Sequence, residues 1–179
     1  MDRCKWVNLK NNRYVKYHDE EWGVPSYDDN YLFEMLILES FQAGLSWECV
    51  LNKRENFREA FDNFDVTKIS KYDEEKIQKL LMNEKIIRNK LKIKAAINNS
   101  RIFLDIQKEF NGFYNYIWGF SNNKIIYECD KVSSELSDSI SNDLKRRGMK
   151  FVGTTIIYSY LQAIGVIYSH MPCCDMYKK

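Results

Sequence analysis

Backbone breakers are scarce in this chain, and that scarcity constrains its fold more than any other feature. Seven glycines and two prolines are spread over 179 residues, too few to punctuate the many short strands of a β-sandwich, so the pattern favours helices. The length suits one domain, 1–179. Folding at that size hides roughly 70% of the extended chain's surface, enough for a core without disulfide staples.

Apolar spacing predicts helices along most of the chain. Residues 1–27 read as irregular, with Gly23 and Pro25 in them. Asp28 or Asp29 caps a helix to about Ala43 with Leu32, Phe33, Leu36 and Ile37 inward, and Gly44 closes it. Ser46 caps a second helix burying Trp47, Val50, Leu51, Phe57 and Phe61. A third spans 73–84, and a long one runs from about Arg88 to Phe110. Leu136, Ile140 and Leu144 mark a helix that Gly148 stops, and Thr154–Ile164 forms the last, ending at Gly165. Between these, 121–134 is extended or a loop, with Ile125, Ile126 and Tyr127 able to pair weakly. About eight short helices define an all-α class.

The N-terminus, MDRCKWVNLKNNRY, holds no apolar stretch of signal-peptide length, and no run approaches the roughly 20 apolar residues of a membrane span. The sequence reading is therefore a cytoplasmic protein with no membrane association. Five cysteines, an odd number, agree with reduced thiols. Net charge is only +2, so affinity for nucleic acid has to come from local patches.

Both histidines have cysteine company. Cys4 and His18 lie near the start, and His170 stands four before Cys174 in HMPCC near the end. Neutral imidazole with thiolate suits tetrahedral zinc, and four such ligands with no open position make a structural site. The alternatives are a hydrogen-bonded core His18 and a loose tail, and Cys173 competes with Cys174 as fourth ligand. Cys49 and Cys129 read as ordinary positions.

Two segments are basic. Residues 85–94, KIIRNKLKIK, carry Lys85, Arg88, Lys90, Lys92 and Lys94 without an acid. Residues 145–153, KRRGMKFVG, carry Lys145, Arg146, Arg147 and Lys150 around Gly148 and Gly153, then enter an apolar helix. Helix, glycine-bearing turn, helix is a helix-hairpin-helix layout. Its turn can aim backbone N–H groups at a DNA phosphate, with Arg147, Gly148, Lys150, Gly153 and Thr154 as the contacts and Thr154 able to cap the helix. A solvated charged face is the competing reading.

Glu39 is the only charge in ILESFQAGLSW, beside Phe41, Gln42 and Trp47, while Trp6, Tyr14, Tyr17 and Trp22 cluster in the arm. A purine needs flat apolar walls and one or two groups to read its edge. A methylated, cationic purine adds attraction to a ring face and to a carboxylate. Alternatively the tryptophans are core and Glu39 caps or pairs.

RCKWV at 3–7, YHDEEWGVP at 17–25, LFEMLILESFQAGLSW at 32–47, KRENFREAF at 53–61, IIRNKLKI at 86–93 and KRRGMKFVGTTIIYSYLQAIG at 145–165 together resemble the DNA-3-methyladenine glycosylase I family, as does the SHMPCC tail. The resemblance runs over essentially the whole chain and is weakest at 105–143. It implies a helix-hairpin-helix glycosylase fold, with the hairpin at about 137–165 and two helical lobes around a base-binding cleft. It implies one structural zinc joining the termini, 1–27 and 166–179, through Cys4, His18, His170 and Cys174.

It further implies hydrolysis of the N-glycosidic bond of 3-methyladenine in alkylated double-stranded DNA by a monomer, releasing the free base and leaving an abasic site. Glu39 and Tyr17 take the catalytic positions, with Glu39 binding the base's exchangeable hydrogens. Trp47 stacks on the base, Trp6 lines the same pocket, and Tyr14 and Trp22 support it. Helix-hairpin-helix glycosylases commonly carry a catalytic Asp soon after the hairpin, yet no Asp or Glu lies between Asp143 and Asp175. The family is known for lacking it. A cationic purine departs as a neutral base and needs little acid assistance. The competing functions are a non-catalytic zinc-stapled damage sensor and a helical protein-interaction domain.

Overall fold

The computed structural model describes residues 1–178. Its architecture is built around α2 (Asp29–Gln42), which follows a shorter α1 (Asn12–Glu20). Every residue of α2 from Leu32 to Phe41 is buried. A helix buried on all sides is a central one, and its last turn carries Glu39. The carboxylate of Asp28 caps the N-terminus of α2, accepting from Asn30 N.

Helix α1 corrects the irregular arm expected for 1–27. The Asn11 side chain caps it, and its buried face is Tyr14, Tyr17 and His18. Spacings of three and four are there, carried by rings and a histidine where aliphatic residues would have signalled it.

After α2, Ser46 caps α3 (Trp47–Asn52), and α4 (Arg54–Ala60) follows at once. The single helix expected here breaks at Lys53 (φ −101°, ψ 0°). The break turns Phe57 and Phe61 into an aromatic cluster with Phe41 and Phe64. A 3-10 turn at 62–64 and the short α5 (Val66–Ile69) were not anticipated. Helices α6 (Glu74–Met82) and α7 (Lys90–Phe110) were, with Asp73 and Asn89 as their caps. Asn111 ends α7 in the left-handed conformation (φ 54°).

The next helix, α8 (Phe113–Gly119), has no capping side chain of its own. The Asp29 carboxylate caps it from across the fold, accepting from Phe113 N and Tyr114 N, both at 2.8 Å. Strand β1 (Ile126–Tyr127) precedes α9 (Glu135–Arg146), which opens with a Ser134–Ser137 capping box. Then come α10 (Thr154–Ala163) and β2 (Ile167–Tyr168). The weak pairing expected near Ile126 exists. Its partner is β2, parallel, with Ile126 opposite Ile167 and Tyr127 opposite Tyr168. The rest of the secondary structure is helical.

Helix α10 packs against both α9 and α2, while α7 packs against α5, α6, α8 and α2. Phe103 stacks on Phe113 with centroids 4.0 Å apart, and Phe33 meets Phe103 edge-on. Such ring pairs contribute about 0.5–1.5 kcal/mol each beyond burial. Gly165 (φ +75°) seats α10 against the arm, because a Cβ there would lie 2.3 Å from Pro25 N. No described helix is long and apolar enough to cross a membrane.

Candidate active site and metal cluster

A cavity of about 560 Å³ opens between the N-terminal arm, the end of α2, the start of α3 and one face of α10. Its lining contains all six residues singled out above: Trp6, Tyr14, Tyr17, Trp22, Glu39 and Trp47. Residues from four separate stretches of sequence therefore share one wall system.

Glu39 is 3% exposed. Loss of water around it pushes its carboxyl up to about 8. Its Oε2 has no hydrogen-bond partner among the described residues, nor has the indole Nε1 of Trp47. The Tyr158 hydroxyl is a third such atom, and three buried polar atoms without partners, on residues lining one cavity, suit a site that completes itself with a ligand. Tyr17 packs its ring 5.3 Å from that of Trp47. Burial holds its phenol well above the usual value, so it stays a neutral O–H donor at physiological pH.

The aromatic wall continues away from the cavity. Trp6 meets Tyr14 at 5.4 Å and Trp22 at 4.7 Å. The far side of the wall reaches histidine: Trp6 lies 5.3 Å from His18, and Trp22 lies 4.7 Å from His170.

Those histidines belong to a second cluster. The ligand atoms of Cys4, His18, His170 and Cys174, all buried, lie within 4.8 Å of one another. Cys174 Sγ stands 3.6 Å from His18 Nε2 and 3.5 Å from His170 Nδ1, and Cys4 Sγ stands 3.7 Å from His170 Nδ1. Cys173 is exposed, which decides the rivalry for the fourth position. Outer partners orient the set. His18 Nδ1 pairs with Asp19 Oδ1 at 2.8 Å, Asp19 pairs with Arg3, and the sulfurs accept from Met171 N and Met176 N. Four convergent nitrogen and sulfur donors with oriented second partners can hold a metal ion.

The turn between α9 and α10 is braced by α7. Asn98 Nδ2 donates to Gly148 O, while the Asn99 side chain accepts from Lys150 N and donates to Lys150 O. Gly148 holds φ +98°, and Lys150 is exposed. Helix α10 starts at Gly153 with no side-chain cap. Thr154, expected as a cap, instead spends its hydroxyl on Asp138 and Ser137. Arg147 departs from expectation too: Asp143 and Glu109 both pair with it, at 2.7 and 2.6 Å, so its charge is spoken for. Four of the five cations of the other basic segment are likewise engaged, since Arg88 pairs with Glu84, Lys90 and Lys94 reach Glu74, and Lys92 is buried, while Lys85 is exposed.

Sequence reasoning missed the polar face of α10. Thr155, Ser159 and Gln162 line the cavity. Their spacing of four and three in an otherwise apolar helix was the available signal. Gln42, on the final turn of α2, also lines it.

The fold and this site define a helical protein with a ring-walled pocket of about 560 Å³, roomy enough to admit a nucleobase, and a metal-type cluster behind one wall. The sequence profile of the methyladenine glycosylase family matches residues 6–178, and the chain belongs to that family. DNA-3-methyladenine glycosylase 1 of Escherichia coli is 43% identical over 183 residues, covering 99% of this chain and 97% of its own. A crystal structure of 3-methyladenine DNA glycosylase I superposes with a TM-score of 0.94 at 42% identity, covering 98% of this chain and 100% of the other. A variant of such an enzyme in complex with 3-methyladenine also gives 0.94, at 31% identity, covering 100% and 99% of the two chains.

Proposed function

We propose that this protein hydrolyses the N-glycosidic bond of 3-methyladenine in alkylated double-stranded DNA, releasing the free base and leaving an abasic site. One observation carries the reading: Glu39, a buried carboxylate with an unpaired oxygen, shares a cavity roomy enough to admit a flipped base with the unpaired indole N–H of Trp47. A relative at 31% identity and essentially the same fold is known in complex with 3-methyladenine.

The chemistry follows from the charge of the base. N3-methylation makes the purine cationic in DNA, so when the bond to C1′ breaks its electron pair stays on N9 and the base leaves neutral. Water adds to C1′ and gives its proton to solvent. The protein's work is to hold the flipped nucleotide and favour the charge distribution of the transition state. Trp47 and Tyr17 supply ring faces, and stacking of roughly 1–3 kcal/mol per base offsets the few kcal/mol of unstacking. Glu39 binds the exchangeable hydrogens of the base, and an approaching cation draws it into its ionised form. Trp6 completes the pocket, with Tyr14 and Trp22 behind it. Lys5 and Lys131 line the cavity and are assigned no Schiff-base role, so in this reading the reaction stops at the abasic site.

Phosphate contacts are assigned to the braced turn: the exposed Lys150, the backbone at Gly148 and Gly153, and the uncapped N-terminus of α10 at Thr154. This makes α9, the turn and α10 the helix-hairpin-helix of the fold, with the cavity between two helical lobes. Arg147 is left out as a phosphate contact and acts as a brace.

Zinc is the metal assigned to Cys4, His18, His170 and Cys174. A sulfur and a nitrogen holding one tetrahedral zinc would stand about 3.6 Å apart, and three sulfur–nitrogen pairs of the cluster stand 3.5–3.7 Å apart, with all four ligand atoms within 4.8 Å of one another. With all four positions filled by protein, the ion staples the termini and takes no part in the reaction. In this reading the protein acts as a cytoplasmic monomer.

The test is incubation with methylated duplex DNA and chromatography of the supernatant. Free 3-methyladenine together with alkali-labile sites is the expected result. Tight binding to methylated DNA without base release would make the protein a damage sensor instead.

A further inference from the structure

Lys92 is an unusual residue to bury. It is 7% exposed, and it reaches no carboxylate among the described residues, although its neighbours Lys90 and Lys94 both reach Glu74. Its ammonium donates instead to the carbonyls of Phe41, at 2.8 Å, and Ala43. The ring of Phe151 lies 5.9 Å away.

Those two carbonyls end α2. The last carbonyls of a helix lack partners within it, and a cation is favoured there by the helix dipole. Many helices solve this with a glycine that folds the next N–H groups back. Here the chain leaves at Ala43 (φ −46°, ψ 113°), and the left-handed Gly44 (φ +79°) comes one residue later. The Lys92 ammonium takes the place of the missing backbone donors. From that point four residues, 43–46, lead into α3. Leu45 N donates to Gln42 O, and Ser46 then caps Cys49 N. On one side of this turn stands Glu39, and on the other Trp47.

We propose that Lys92 is a positioning residue for the cavity: by tying off the end of α2 it fixes the turn that sets Trp47 in register with Glu39. The inference rests on reading that cavity as the base pocket. Lys92 touches no substrate. It decides whether the two walls that do are the right distance apart, and small displacements of such groups cost large factors in rate.

The experiment compares Lys92→Met and Lys92→Gln in the full-length protein, alone and with Glu39→Gln. Free 3-methyladenine binding is followed by tryptophan fluorescence, and base excision, thermal melting and metal content are measured alongside. Lys92→Met removes every donor. The folded variant is expected to keep its metal, to bind the base at least tenfold more weakly, and to lose excision by a similar factor. In the Glu39→Gln background, where the contact that depends on alignment is already gone, the same change is expected to add less than threefold. Lys92→Gln retains one donor group and should hold the fold while weakening base binding at least threefold, so a failure of Lys92→Met to fold leaves the question answerable.

Base affinity within twofold of wild type in the folded variants would overturn the proposal. So would losses that multiply fully with Glu39→Gln. If the wild-type protein released no methylated base, the glycosylase reading would fail by itself. The Trp47 indole N–H resonance in Lys92→Gln would still report whether the turn had moved, and an unmoved resonance would sink the positioning role.

Discussion

The Nε2–H of His170 donates to the carbonyl oxygen of Trp22 at 3.3 Å, across 148 positions of sequence. The two rings also meet, with centroids 4.7 Å apart. One residue thus belongs to the metal cluster and the other to the cavity wall, and whatever loosens the first loosens the second.

Metal removal is accordingly expected to be felt in the pocket. Cys174→Ser, or prolonged chelation, should release one equivalent of zinc and lower the melting temperature, since a structural site contributes its binding energy to folding. Free-base affinity should fall with it, because Trp22 and Trp6 pack directly on the ligand histidines. Cys173→Ser should change neither quantity, as that thiol is exposed. Metal content by elemental analysis and base titration on the same samples check both.

Glu39→Gln separates recognition from stability. Losing a charge-assisted hydrogen bond of about 1.5–3 kcal/mol should weaken base binding roughly 10- to 100-fold. Stability should move the other way, with a defined pH dependence. The folded carboxyl is pushed up to about 8, against about 4.5 in a free chain. Below the lower value both states are protonated and burial carries no charge penalty. As pH rises from there the unfolded chain ionises first, so the wild type loses stability, by at most about 1.4 kcal/mol per pH unit. Above the folded value the loss is complete. The Gln variant has no such slope, so its advantage in denaturant melts should grow between pH 5 and pH 8 and then level off. Parallel stability curves would contradict this.

Salt dependence distinguishes two of the hairpin's four cations, Lys150 and Arg147. Each phosphate contact adds a slope of about 0.9 to the logarithmic dependence of DNA affinity on salt. Lys150→Ala should flatten that slope by about one unit, because its side chain is exposed above a backbone locked by Asn99. Arg147→Ala should leave it nearly unchanged, since Asp143 and Glu109 already neutralise the guanidinium. Filter binding across a salt series gives both numbers.

Arg54 is the structural counterpart. It bridges Glu34 of α2 and Glu21 of the arm, each at 2.6 Å, with little exposure of either Arg54 or Glu34. Arg54→Met leaves Glu34 buried with only Arg58 as a partner. Breaking a buried pair in this way costs about 3–5 kcal/mol. A fall in melting temperature of roughly 10 °C is expected for a domain of this size.

Much of this protein is legible one residue at a time. Asp28, Ser46 and Asp73 announce the helices they cap, because a cap acts on N–H groups two or three residues away. Helix α1 was hidden because its buried face is Tyr14, Tyr17 and His18, residue types that serve sites as well as cores. The polar face of α10 was missed because its purpose depends on what stands opposite it.

The sequence by itself determined the helical class, three of the capping points, the chemical inventory of a ring-walled pocket with Glu39 in it, and a short set of metal-type ligands. These are properties of composition and of short-range spacing. Tertiary structure alone decided which charges remain free. Arg147 is neutralised by Glu109 and Asp143, Lys92 is buried against the end of α2, and Lys150 is left exposed. It also decided that Glu39 lacks a partner for Oε2 and that the cluster of Cys4, His18, His170 and Cys174 backs onto the pocket. A charge is set by its nearest neighbours in space; Asp143 stands only four residues before Arg147, but Glu109 stands 38 before it and Phe41 stands 51 before Lys92.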